Sequence, residues 1–298
     1  MRFLLTGATG FIGRRLIDAI LDEGHYASYL TRKVTESERR NVGQYYWDMR
    51  SPAATEVFRE VDVVIHLAGE PVAQRWNDEV KRRIRDSRVN GTRHLVESLA
   101  RLETRPHTLL CASATGIYGD RGDEKLIESS TPGTGFLPEV CVEWEREADR
   151  AATLGMRVVK LRTGIVLGRG GGALEKMLPP FRLGAGGTLG SGEQWMSWIH
   201  LDDLVRLYLW LADGTLTAGP VNAVAPAPVR NAEFTRSLAK ALDRPAFLPV
   251  PAFGLRLLYG EMSQVLLESQ RVLPRTAEGA GFEFGFPSLD DALEDLLA

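Results

Sequence analysis

The chain reads as an α/β protein, a doubly wound parallel sheet with helices on both faces and a smaller C-terminal substrate lobe. Three observations predict this. The chain opens as strand, glycine turn and helix. Short apolar runs then alternate with longer amphipathic ones through the first half, the rhythm of a parallel sheet with crossover helices. Past about residue 165 that rhythm lapses into segments rich in Gly and Pro. The boundaries expected are a dinucleotide-binding domain over 1–165, with part of its sheet completed by later segments, and a lobe over 166–298 that includes a C-terminal module over 219–298.

The first strand, 2–6, is the apolar run ending at Thr6. Gly7-Ala8-Thr9-Gly10-Phe11-Ile12-Gly13 follows with spacing G-x-x-G-x-x-G, and an amphipathic helix over 12–23 begins there. In such a turn the first glycine permits the tight bend. The second admits a pyrophosphate to the backbone, and the third lets helix and strand pack closely. The free amides and positive dipole end of the helix face the phosphates. The second strand, 26–31, ends in Thr31-Arg32-Lys33, with no acid between Ser28 and Val34. An Asp or Glu there would hold a ribose 2′-hydroxyl, whereas an arginine accommodates a 2′-phosphate. The cofactor expected is NADP(H) in preference to NAD(H).

A buried strand over 61–67 ends in Leu67-Ala68-Gly69-Glu70, where small residues let the chain pass close to a cofactor. Asp48 offers an acceptor for an adenine amino group. The helix over 77–101 carries the one basic run, Lys81 to Arg88, which reads as a solvated face. Strands over 107–113 and 156–161 flank a helix over 138–154. Further helices are expected at 173–183, 231–242, 251–259 and 289–297. Gly168 to Gly172 and Gly184 to Gly187 read as flexible.

Composition narrows the function. The 298 residues carry a net charge of −3, which argues against a nucleic-acid partner. No apolar stretch approaches membrane-spanning length. The chain enters a strand without a signal peptide, so the expected location is cytoplasmic. Two cysteines make neither a disulfide framework nor a zinc site, and the five histidines lack metal-ligand spacing. No metal is expected.

Taken in order, these motifs resemble those of the extended short-chain dehydrogenase/reductase superfamily, in its NAD(P)-dependent epimerase/dehydratase group. Thr6 to Gly13, His66-Leu67-Ala68-Gly69, Val89-Asn90-Gly91-Thr92, Ser113-Ala114-Thr115-Gly116-Ile117-Tyr118-Gly119-Asp120, Leu161 to Gly168 and Trp198 to Leu204 carry the resemblance. Cys141 to Glu145, the run Leu167 to Ala173 and the segment Gly219 to Leu297 point to an atypical branch known as epimerase family proteins, whose C-terminal domain has no assigned function. The resemblance implies a Rossmann fold and a cofactor site at Gly7, Thr9, Gly10, Phe11, Ile12, Gly13, Thr31, Arg32, Asp48, Leu67, Ala68, Gly69, Glu70 and Arg162. It implies Ser113 as the catalytic serine. Relatives often pair two subunits through helices like 77–101 and 138–154, so a homodimer is expected.

The group's acid/base pair, Tyr-x-x-x-Lys, belongs on the helix after the serine strand. At that place the chain has Cys141-x-x-x-Glu145, at the spacing that puts both residues on one helical face. A carboxylate near a thiol disfavours the thiolate. Cys141 therefore reads either as core or as a working substitute. Glu145 reads as a ribose ligand or a base, and Ser113 and Tyr118 as oxygen donors near the same edge. The function expected is an NADP-dependent oxidoreductase or epimerase acting on a secondary alcohol or carbonyl of a small, sugar-like molecule. The alternative is a non-catalytic NADP(H)-binding or redox-sensing protein.

Overall fold

The computed structural model describes residues 1–35, 42–214 and 218–298. Its central sheet has seven strands: β1 (Arg2–Thr6), β2 (Tyr26–Thr31), β3 (Val42–Tyr46), β4 (Val63–His66), β5 (Thr108–Ala114), β6 (Arg157–Thr163) and β7 (Gly219–Ala223). They lie in the order β7-β6-β5-β4-β1-β2-β3. Every neighbouring pair is parallel. Strand order reverses between β1 and β4, and at such a switch point the carboxyl ends of the strands open a crevice for ligands.

The pleat sorts the core into two layers. Phe3 and Leu5 of β1, with Val63 and Ile65 of β4, pack under helices α1 (Phe11–Asp22) and α5 (Leu201–Asp213). Leu4 and Val64, one residue out of phase, pack under α2 (Asp78–Ala100) and α3 (Phe136–Asp149). Between α3 and α5 in the chain comes α4 (Gly172–Arg182), which joins α6 (Asn231–Ala241) and the C-terminal helix Leu289–Leu297 around a separate core centred on Trp198, Phe234 and Leu293.

The sequence reading has no β3, no β7, whose Gly219 and Pro220 read as loop, and no α5. The first is an edge strand with Tyr45 and Tyr46 exposed, so no apolar alternation marks it. Helix α5 is buried over most of its surface, and the narrow stripe Asp202, Arg206, Trp210 and Asp213, which alone meets solvent, was the available signal for its helical period. The stretch Gly168 to Gly172 reads as flexible from composition, yet it is packed. A Cβ on Gly168, Gly171 or Gly172 would lie 2.7, 2.5 or 2.7 Å from the Phe11 ring, so these glycines wrap the first side chain of α1. Among the described residues no helix is long and apolar enough to cross a membrane.

Candidate functional site

The glycine turn sits at the switch point. Gly7 has φ +70°, and a Cβ there would lie 2.9 Å from the backbone of Leu67 and Ala68, so this glycine is required by conformation and by space. At Gly13 a Cβ would meet Gly7 O at 2.4 Å and Ala8 Cα at 2.5 Å. Gly10 is different: it is exposed, and the nearest obstacle to a Cβ is Gly7 O at 3.2 Å. Its bareness serves space outside the protein. Gly10 is also the N-cap of α1, and no side chain caps that end. The amides of Phe11, Ile12 and Gly13, at the head of the helix, therefore remain open to a ligand.

A buried relay holds the turn to the next strand. Thr6 Oγ1 accepts from the amides of Leu67 (3.2 Å) and Ala68 (3.1 Å) and lies 2.6 Å from His66 Nδ1. With both lone pairs engaged, the Thr6 hydroxyl donates to Nδ1. His66 then carries its proton on Nε2 and donates to Thr92 Oγ1 at 3.0 Å. Burial, helped by the charge of Arg88, lowers the His66 pKa to about 4, so the ring is neutral. Thr92 belongs to the Val89-Asn90-Gly91-Thr92 motif, and its neighbour Gly91 gives way to Met49, whose Cε would lie 2.3 Å from an added Cβ.

Around the turn, Thr31 and the exposed Arg32 close β2, and Arg32 has no hydrogen bond or ion pair among the described residues. Asp48 follows β3 and accepts from the amide of Arg50 at 3.0 Å. The amide of Glu70 donates to Ser87 Oγ (2.9 Å), while its carboxylate takes Gln74 Nε2 (3.1 Å). The open side of Gly69 is filled by the Arg88 guanidinium, 3.2 Å from where a Cβ would stand.

The other expected residues form a closed cluster. Ser113 points to the α3 face and donates to Glu145 Oε1 at 2.7 Å. Arg162 grips the same carboxylate with two bonds, Nε to Oε1 (2.8 Å) and Nη2 to Oε2 (2.9 Å). Its Nη1 donates to Tyr118 Oη (2.9 Å) and to Glu128 O (3.0 Å). The Tyr118 hydroxyl donates in turn to Asn222 Oδ1 at 2.7 Å. All five side chains are buried. Burial raises the Tyr118 phenol above its ordinary value, against the pull of Arg162. Burial alone would lower the Arg162 pKa, but the bonded Glu145 carboxylate more than offsets it, and the guanidinium is held charged.

Beside that cluster, a cavity of about 250 Å³ opens at the carboxyl ends of β5 and β6. Ala114, Thr115, Cys141 and Thr163 line it, together with Trp195, Glu268 and Gln270 from the C-terminal lobe; Ser113, Tyr118, Glu145 and Arg162 do not. Cys141 is buried against Ile117, Val224 and Val272. Burial pushes its thiol up to about 12, with Arg88 opposing and Glu145 reinforcing the shift, so no thiolate forms at neutral pH. Burial, and then Asp120, raise the Glu268 carboxyl above its usual range.

The sequence reading did not find Thr115, Glu268 or Arg88. Thr115 lies two residues beyond Ser113, and only the turn after β5 aims it at the cavity. In the basic run, Arg82 and Arg83 are exposed as expected, but Arg88 turns inward and lines the cavity. Its position one helical turn after the buried Ile84 was the available signal. The later motif Trp198 to Leu204 is structural: His200 Nδ1 caps α5 at Asp202 N, and Asp203 receives the amides of Gly285 and Phe286 at 2.8 Å each.

A doubly wound sheet with an uncapped glycine turn at its switch point defines a fold of the dinucleotide-binding type. The chain belongs to the NAD dependent epimerase/dehydratase family, which it matches over residues 3–222; residues 250–296 match a domain of unknown function (DUF1731). It is 40% identical over 302 residues to the epimerase family protein SDR39U1 homolog, chloroplastic, of Arabidopsis thaliana, covering 100% of this chain and 87% of that one. It is 36% identical over 299 residues to the epimerase family protein YfhF of Bacillus subtilis, covering 100% and 98%. The crystal structure of human epimerase family protein SDR39U1 (isoform 2) with NADPH matches with a TM-score of 0.90 at 32% identity, covering 100% of this chain and 99% of that one.

Proposed function

We propose that the chain is an NADP(H)-dependent oxidoreductase or epimerase acting at a secondary alcohol or carbonyl of a small substrate. The observation that carries this reading is the pairing, on one sheet edge, of an open phosphate cradle with a cavity at the ends of β5 and β6. The residues present fit the cofactor. Gly10 and the amides of Phe11, Ile12 and Gly13 would hold its diphosphate, and Arg32 its 2′-phosphate; the NADPH in the human relative supports this. Asp48 would accept from the adenine. When bound, NADP(H) supplies the hydride chemistry.

The chain's own residues would orient the substrate and handle the proton. Thr115 offers the cavity a hydroxyl with no partner among the described residues, suited to holding the reacting oxygen. Ser113, Tyr118, Glu145 and Arg162 act from behind the wall, holding β5 against α3. Of the titratable side chains in the cavity, Cys141 keeps its proton, whereas the Glu268 carboxyl, raised above its usual range by burial and then by Asp120, is the group placed to exchange one with a substrate. A cavity of about 250 Å³ matches the volume of about eight waters, which suits a small molecule.

The test is calorimetric titration with NADPH, followed by nicotinamide absorbance during incubation with a panel of small aldehydes, ketones and 2-oxo acids. Gly10→Val is the control, expected to fold and to lose NADPH binding. Binding without substrate-dependent oxidation would favour the second reading, a non-catalytic NADP(H)-binding or redox-sensing protein. One observation supports that rival: the helix place of the usual acid/base pair holds a protonated thiol and a carboxylate locked by Arg162. Failure of wild type to bind NADPH would overturn both.

A further inference from the structure

We infer that Arg88 is the anion-recognition residue of the cavity and that the substrate carries a carboxylate. This deepens the proposed function and rests on reading the cavity as the substrate site. Arg88 lines the cavity close to Cys141. Its guanidinium is fixed on three sides. Nη1 donates to Glu70 O at 2.9 Å and Ile84 O at 3.2 Å. One face lies over the Trp144 ring, 5.2 Å from its centroid. Gly69 has no Cβ, which lets the group lie against the backbone after β4.

Nε and Nη2 have no hydrogen-bond partner among the described residues, and these two parallel N–H groups form the fork that matches a carboxylate. The neighbouring acids are engaged elsewhere. The Glu70 carboxylate accepts from Gln74 and faces Arg83, and Glu145 is held by Arg162 and Ser113. Glu268, the cavity's own acid, makes no ion pair with Arg88 among the described residues. The Glu70 charge acts on the guanidinium but does not bond its fork, so two N–H donors of a cation in a partly apolar wall are left unmet, a cost that an anionic ligand relieves. Burial accordingly lowers the Arg88 pKa.

The same fork would also suit the cofactor's diphosphate, so the test separates the two sources. The full chain, saturated with NADP⁺, is titrated calorimetrically with acetate, 4-methylpentanoate and benzoate, and with the corresponding neutral amides. We expect at least one carboxylate to bind about 30-fold or more tighter than its amide, a preference that Arg88→Gln removes. Arg88→Lys keeps the charge but not the fork, and retains part of that preference. NADP⁺ affinity should stay within about threefold of wild type in both variants.

The inference falls if wild type shows no preference for any carboxylate over its amide, or if Arg88→Gln keeps one. It falls equally if NADP⁺ affinity drops as steeply as that of the probes, which would assign the fork to the diphosphate. Should wild type bind no NADP⁺ at all, the proposed function fails instead, and the carboxylate titration of the cofactor-free chain still decides the role of Arg88.

Discussion

The carboxyl edge of the sheet is built in opposite ways on its two sides. Over β1, β2 and β4, donors stand open: the first amides of α1 lack a cap, and Arg32 has no partner among the described residues. Over β5, β6 and β7, the buried side chains behind the cavity wall are paired with each other, and among the described residues Thr115 on the wall is not. Ser113, Glu145, Arg162, Tyr118 and Asn222 form one buried chain of hydrogen bonds. The residue types on the second side look more like catalysts, with a serine, a tyrosine and a carboxylate. They are paired with one another, and a group whose hydrogen bonds are satisfied internally must break them before it can hold a ligand.

The sharpest way to break this contrast is to cut the closed side. Arg162→Met leaves Glu145 buried without its counterion and should destabilise the fold by about 3–5 kcal/mol in urea denaturation. Adding Glu145→Met should restore most of that loss, since an apolar pair needs no compensation. A cost below about 1 kcal/mol for the single change would mean the cluster is not scaffold.

Next comes the relay beneath the open side. The pKa of His66 is near 4 in the folded chain and 6.5 when unfolded, so between those values the unfolded state binds more protons. Stability should be level above pH 6.5, fall as the pH drops toward 4 by an amount on the order of 3 kcal/mol, and change no further below that on account of this residue. His66→Gln should flatten that slope. An unchanged slope in denaturation curves taken across this range would show that the ring is not the group responsible.

Arg32 tests the open side directly. Arg32→Ala should weaken NADPH binding by about 1.5–3 kcal/mol and leave NADH binding nearly unaltered. Equal losses for the two cofactors would remove the 2′-phosphate from the argument. Cys141 carries the smallest expected effect. Its thiol is held protonated, so iodoacetamide at pH 8.5 should label it far more slowly than an exposed cysteine, as read by mass spectrometry. Cys141→Ala should cost about 1 kcal/mol of stability and leave turnover intact. Rapid labelling, or loss of turnover, would return Cys141 and Glu145 to the role of a substitute acid/base pair.

Local pattern made much of this legible. The glycine spacing between an apolar run and an amphipathic helix located the turn that heads α1. The missing acid after β2 pointed to Arg32, and the alternation of apolar runs placed five of the seven sheet strands. Edge strand β3 escaped because it shows no one-sided pattern, and β7 because its Gly219 and Pro220 read as loop, while α5 carries only a narrow polar stripe. Ser113 and Thr115 lie two residues apart in one motif, and nothing in their order says which of them faces the cavity. The pleat of β5 turns Ser113 toward Glu145, and the turn after it delivers Thr115 to the cavity wall.

By itself, then, the sequence determined five of the seven sheet strands and the glycine turn at the sheet's carboxyl edge, because these depend on residues adjacent in the chain whose sterics and periodicity act locally. Tertiary structure alone decided that Glu145 meets Arg162, that Arg88 turns into the cavity and that Glu268 from the C-terminal lobe closes it. Those are meetings between residues far apart in the chain, and whether a charge is paired or open depends on which partner the fold brings within reach.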